Sequence, residues 1–119
     1  MTGVQTCALP ILNEQNELLT AAMQIILHAG NARNAADEAL EEAKRFNFQE
    51  AASHLQKAEE AITLAHKSQT DIIQKEAGGY GYEPSLLFAH AQDTLMTIKS
   101  ELHLSRQLID VLKIIKNNK

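Results

Sequence analysis

The sequence predicts an all-α fold, an antiparallel up-down-up three-helix bundle. Apolar residues recur at spacings of three and four along most of the chain, the period of one helix face. Aromatic residues make up only 4%, there is no Trp, and Ala is abundant. That mixture suits close-packed helices rather than a sheet, which favours Val, Ile, Thr and aromatics at period two. Two turn signals, at Arg45–Asn47 and Gly78–Tyr82, divide the periodic sequence into three segments. Short connections make successive helices antiparallel neighbours.

The first helix carries Leu18, Ala22, Ile25, Ala29, Ala32, Ala36, Leu40 and Ala43 on one face. A seam this rich in Ala lets a neighbouring helix approach closely. Gly30 lies inside it at a cost of about 1 kcal/mol relative to Ala, which points to a mild bend or a tight contact there. Asn47 followed by Glu50 has the form of a capping box opening the second helix. Its seam runs Phe48, Ala51, Leu55, Ala58, Ile62, Ala65, Gln69 and Ile72. The cluster Gly78, Gly79, Tyr80, Gly81, Tyr82 ends that helix, and Pro84 suits the first turn of the third. The third helix then runs to about Ile115 without an interior Gly or Pro.

With 119 residues, 45% apolar and 22% charged, the chain is one globular domain rather than a disordered one. A net charge of -4 and the lack of a basic cluster argue against nucleic acid as a partner. No apolar run approaches the ~20 residues that span a bilayer, so direct membrane insertion is not expected. The single cysteine, Cys7, cannot form an internal disulfide and leaves the redox compartment open. It stands in an odd segment: Thr2 to Ile11 read TGVQTCALPI, like the translation of a sequencing-adapter oligonucleotide. Residues 1–11 are therefore read as a non-native head outside the fold, and residues 12–119 as the domain.

The third helix carries two stripes. Ala91, Leu95, Ile98, Leu102, Ser105, Ile109 and Leu112 form an apolar seam that would close the bundle. A second stripe, turned by roughly a quarter revolution, reads Leu86, His90, Asp93, Thr97, Ser100, Leu104, Leu108, Val111 and Ile115. It is apolar at both ends and polar in the middle. One reading is a self-association surface with His90 and Asp93 on it. The other is a wide core-facing helix with a polar patch at a solvent gap.

Residues 87 to 97 read LFAHAQDTLMT, with HAGNAR (His28 to Arg33) and AHKSQT (Ala65 to Thr70) on the two earlier helices. These three ordered blocks resemble the segments of the lactose/cellobiose-type IIA proteins of the sugar phosphotransferase system (PTS). The resemblance covers roughly residues 17 to 116. It implies a cytoplasmic homotrimer of three-helix subunits that takes a phosphoryl group from phospho-HPr and passes it to a cysteine of a IIB component. His90 then matches the phosphorylated histidine. Gln92 matches an amide that would help seat the phosphoryl oxygens. Asp93 matches an aspartate gathered at the threefold axis, where Mg²⁺ is expected, one per trimer. At Thr94 the sequence departs from many members, which have a second histidine. The sugar, within the lactose, cellobiose and chitobiose class, is not encoded here, since the membrane component selects it in such systems.

The chemistry agrees with this assignment. Neutral imidazole can attack a phosphoryl group near pH 7 and release it again, as a reversible relay needs. The sequence has no P-loop string, Walker lysine or kinase signature, which argues against a nucleotide donor. Without the motif, His28, His54, His66 and His103 would read as surface or capped residues. His66 with Asp93 would be only a weak metal signal. The acidic runs at residues 37–42 and 59–60 read as solvated helix faces. The readings of a different class are a non-catalytic helical adaptor and a small metal-binding bundle.

Overall fold

The computed structural model describes the backbone of residues 2–118 and the side chains of residues 15–118. Three helices follow one another, α1 (Thr2–Lys44), α2 (Phe48–Ala77) and α3 (Leu86–Asn117), and among the described residues there is no strand. The head at residues 1–11 lies outside the residues whose side chains are described.

The core follows the three seams closely. From α1 it takes Ala22, Ile25, Ala29, Ala32 and Ala36, from α2 Ala58 and Ala65, and from α3 Ala91, Leu95, Ile98 and Leu102. A smaller cluster of Ala39, Ala43, Ala51 and Ile109 closes the far end. Ala39 is fully buried and Leu40 only packs against that cluster, so the α1 seam turns one residue from where it was expected. The cause is size. A methyl group fits where helices meet most closely, and the longer Leu40 is left to cover the flank. Gly30 makes no tight contact, because a Cβ built there would meet nothing within 4 Å.

Both turns are Schellman motifs built from different residues. At the end of α2, Gly79 adopts φ +98°, Gly79 N donates to Glu76 O, and Tyr80 N donates to Lys75 O. At the end of α1 the left-handed position is filled by Phe46 (φ +65°), with Phe46 N donating to Ala43 O and Asn47 N to Glu42 O. A non-glycine residue is disfavoured there by roughly 1–2 kcal/mol. Contacts of the ring offset that cost: it lies 6.0 Å from the Phe48 ring, and Lys116 Nζ sits 5.1 Å from its centroid.

The expected capping box at Asn47 does not form. Asn47 occupies the N-cap position but makes no side-chain cap, because its amide is drawn back to donate to Glu42 Oε2 at 2.9 Å. The cap of α3 also differs from expectation. Pro84 precedes the helix, and Ser85 caps it, its Oγ accepting from Phe88 N at 3.1 Å.

Candidate functional site

Ser85 fixes where α3 begins, and therefore the height at which His90 projects, in the second turn. His90 and Asp93 are both exposed, three residues apart and so neighbours on one face. The residues that follow them on that stripe, Leu104, Leu108, Val111 and Ile115, are 45–60% exposed, and Leu86 is 89% exposed. The inner seam of the same helix is buried. Among the described residues the second stripe is thus a helix face without a partner, and the reading of a wide core-facing helix fails.

The stretch of α3 around His90 is almost uncharged. From Leu86 to Ile98 α3 contains no Lys or Arg, and Asp93 is its only carboxylate. Arg33 on α1 is joined to Glu101 on α3 by two hydrogen bonds of 2.9 and 2.6 Å. Those bonds hold the Glu101 carboxyl below its ordinary range and raise the Arg33 guanidinium. At the start of α3, Leu19 lines a cleft with Ser85 and Leu87. Leu86 and Leu87, one turn before His90 on its own helix, are exposed.

Gln92 is not brought to that surface. It lies about 200° around the helix from His90. It faces a cleft of about 390 Å³ shared with Ile72, Tyr82, Ser85 and Phe88. The amide therefore points away from the imidazole of its own chain. Among the described residues no group of three or more His, Cys, Asp or Glu side chains could hold a metal ion. A single Asp93 carboxylate does not make a magnesium site, which needs several oxygen ligands.

The other histidines lie elsewhere. His28 Nε2 is 3.1 Å from Gln24 Oε1 on the same helix. His54 Nδ1 lies 3.1 Å from Glu38 Oε2 across α1 and α2, at an angle that makes no hydrogen bond. His66 and His103 are exposed. One partner of His90 went unnoticed in the sequence: Thr94 Oγ1 donates to the His90 carbonyl oxygen at 2.9 Å. Its signal, a hydroxyl residue one turn after the histidine, was there to be read.

An exposed histidine on an apolar helix face, in a three-helix bundle, directs attention to proteins that present such a residue. The PTS system lactose/cellobiose-specific IIA subunit family matches residues 20–113. The chain belongs to this family. It is 42% identical over 100 residues to the lichenan-specific phosphotransferase enzyme IIA component of Bacillus subtilis (strain 168), covering 84% of this chain and 89% of that one. The crystal structure of the PTS cellobiose-specific enzyme IIA from Bacillus anthracis superposes with a TM-score of 0.81 at 41% identity. That match covers 86% of this chain and 94% of the other. The IIA(Chitobiose) in solution structures of its complex with HPr, from the N,N'-diacetylchitobiose branch of the Escherichia coli phosphotransferase system, gives a TM-score of 0.73 at 33% identity. There the coverage is 83% and 96%. The IIA family consists of relay subunits of a phosphotransferase, so the adaptor reading falls away.

Proposed function

We propose that this IIA chain works in the cytoplasm as a phosphocarrier, receiving a phosphoryl group on His90 from phospho-HPr and giving it to a cysteine of a IIB component. In the first step the N–P bond of the donor breaks as an N–P bond forms to His90. In the second, that bond breaks as an S–P bond forms on the acceptor. The observation that carries this reading is His90 itself, exposed on the open face of α3 with the exposed Leu86 and Leu87 one turn before it. An apolar rim admits a partner surface and excludes water from the transferring group, and such transfer needs mainly positioning and charge stabilisation. The HPr complex of the chitobiose IIA supports HPr as donor. No helix among the described residues is long and apolar enough to cross a membrane, which fits a cytoplasmic role.

The unpartnered stripe supports a homotrimer, in which three copies of Asp93 would converge. Three unpaired carboxylates there repel one another, and a divalent cation with oxygen ligands, Mg²⁺ in preference to Zn²⁺, would relieve them. Gln92 faces the cleft beside Ile72 and Tyr82, so it would seat a phosphoryl group only if that cleft met a neighbouring subunit's histidine. Residues 1–11 take no part in this scheme. Deleting Thr2 to Ile11 should leave melting temperature and phosphoryl transfer unchanged.

The test is incubation with phosphoenolpyruvate, enzyme I and HPr. One acid-labile phosphate per chain is expected on the native protein and none on His90→Gln, whose circular dichroism should stay native. Full labelling of that variant would move the site to His28 or His66 and end the assignment.

A further inference from the structure

We propose that Glu17 and Tyr82 form a clasp that positions His90: the Tyr82 hydroxyl, bound to the Glu17 carboxylate, fixes the start of α3 against α1 and with it the height of the histidine. This rests on the phosphocarrier reading of His90 and adds the residues that hold its helix in place.

Three elements meet on one carboxylate. Glu17 on α1 accepts from Lys75 Nζ on α2 and, through its other oxygen, from Tyr82 Oη at 3.2 Å in the loop before α3. Glu17 and Tyr82 are both partly buried. The Tyr80 ring packs 5.0 Å from the Tyr82 ring, which narrows the positions open to its hydroxyl. A charged acceptor strengthens such a bond, and partial burial shields it from water.

The loop passes this tether to one helix only. Between α2 and Tyr82 stand Gly78, Gly79 and Gly81, whose wide backbone freedom leaves the next segment unfixed. Between Tyr82 and α3 the chain is stiff. Pro84 has a fixed φ and confines Glu83 to extended conformations, and Ser85 is extended at φ -129° and ψ 119°. This stiff segment crosses α1 beside Glu17: Glu83, Pro84 and Ser85 line two clefts of about 390 and 280 Å³, and Leu18 lines both. Ser85 then accepts from Phe88 N through its hydroxyl and from Ala89 N through its carbonyl. In the helical pattern the next amide, that of His90, bonds to Leu86, the first residue of α3. The place of His90 is therefore referred to α1 through Tyr82, and not to α2 through the glycines.

The experiment is amide hydrogen exchange of the full chain, read alongside phosphorylation by phospho-HPr. Tyr82→Phe, which removes only the hydroxyl, should quicken exchange at residues 88–90 about 5-fold and leave residues 95–102 as in the native chain. It should also slow phosphoryl acceptance about 10-fold, since a misplacement of about 1 Å weighs heavily on transfer between positioned groups. Glu17→Leu should do the same, and the double variant should be no worse than either single one, because all lose one shared bond. Glu17→Gln keeps an oxygen that accepts from Tyr82 and should stay close to native in both readouts. Arg106→Met breaks the ion pair with Glu59 elsewhere in the bundle and should leave both unchanged, which separates positioning from a general loss of stability. Native exchange at residues 88–90 in Tyr82→Phe, a native rate of acceptance in that variant, or equal slowing in Arg106→Met overturns the proposal. Because exchange is read on unphosphorylated protein, loss of the clasp is separable from failure of the phosphocarrier reading, which a native chain that accepts no phosphate would bring down.

Discussion

On the inner face of α3, Leu95 and Ile98 lose essentially all contact with water, whereas Leu104 and Leu108 on the outer face of the same helix keep more than half of theirs. Both faces are apolar, and both repeat every three or four residues. The difference lies in what the rest of the chain offers them. The inner face meets the Ala seams of α1 and α2, which let a third helix come close enough to exclude water. Among the described residues the outer face meets nothing. A helix interface is thus decided by two sequences together, and the described residues supply a partner for only one of the two faces. His90 lies on the face that the chain leaves open, where the proposed phosphocarrier role would need it.

The sharpest way to break this contrast is truncation on each face. Leu95→Ala should cost about 2–5 kcal/mol of stability, since it opens a cavity in a filled core. Leu108→Ala should change the unfolding of dilute protein by no more than about 0.5 kcal/mol. It should instead lower the concentration-dependent part of the stability, because self-association stabilises by mass action. Urea unfolding over a range of protein concentrations reads both effects. A Leu108→Ala loss equal to that of Leu95→Ala at every concentration would erase the distinction between the faces.

The polar middle of the outer stripe gives a smaller effect of opposite sign. Asp93→Leu should assemble as well as the native chain or better, because replacing buried charge with a well-packed apolar group is often neutral or stabilising. Chelation should loosen the native assembly and leave this variant alone. Light scattering with and without EDTA checks both. A native protein that is monomeric at micromolar concentration with Mg²⁺ present would remove the outer interface altogether.

Between the two faces, Arg33 and Glu101 tie α1 to α3, and this bond carries a pH signature. The Arg33 hydrogen bonds depress the Glu101 carboxyl below its usual 4.5. The ionised form therefore adds stability above the unfolded value, and that stability is lost as pH falls through the depressed one. Glu101→Gln should flatten the acid limb of melting temperature against pH below about 4.5. Both side chains are close to half-exposed, so the change should be small and should shrink further in high salt.

Much of this was legible in the sequence because the signals were local. Periodicity gave the helices and the inner α3 seam, and the double glycine gave the second turn. The first turn was harder to read, since Phe46 in a left-handed conformation is stabilised by the Phe48 ring and by Lys116, some seventy residues away. The capping box failed for a related reason: Glu42 offered Asn47 a carboxylate, and a charged acceptor outcompetes a backbone cap. His90 and Asp93 fell together because a three-residue spacing dictates it. Gln92 did not, because two residues along a helix is more than half a turn. Adjacency in a motif says little about adjacency in space.

A last predicted effect concerns Gly30, and it asks which surface meets a neighbouring copy. Gly30 lies in the interior of α1, where glycine costs about 1 kcal/mol relative to alanine through lost backbone entropy. A methyl group added there meets nothing within 4 Å in the isolated chain, so Gly30→Ala should recover close to that amount in dilute solution. The residues that share its side of α1 are Met23 and Leu27, both more than half exposed, seven and three positions earlier. That side is therefore a second apolar face, and a glycine is what a close helix crossing would use. If copies meet through the outer stripe of α3 alone, Gly30→Ala stabilises the chain and leaves the association constant untouched. A variant that folds more stably yet associates more weakly in sedimentation would mean that the new methyl group collides with a neighbour. The interface would then lie on α1, and the exposed α3 stripe would be left to the partners of His90.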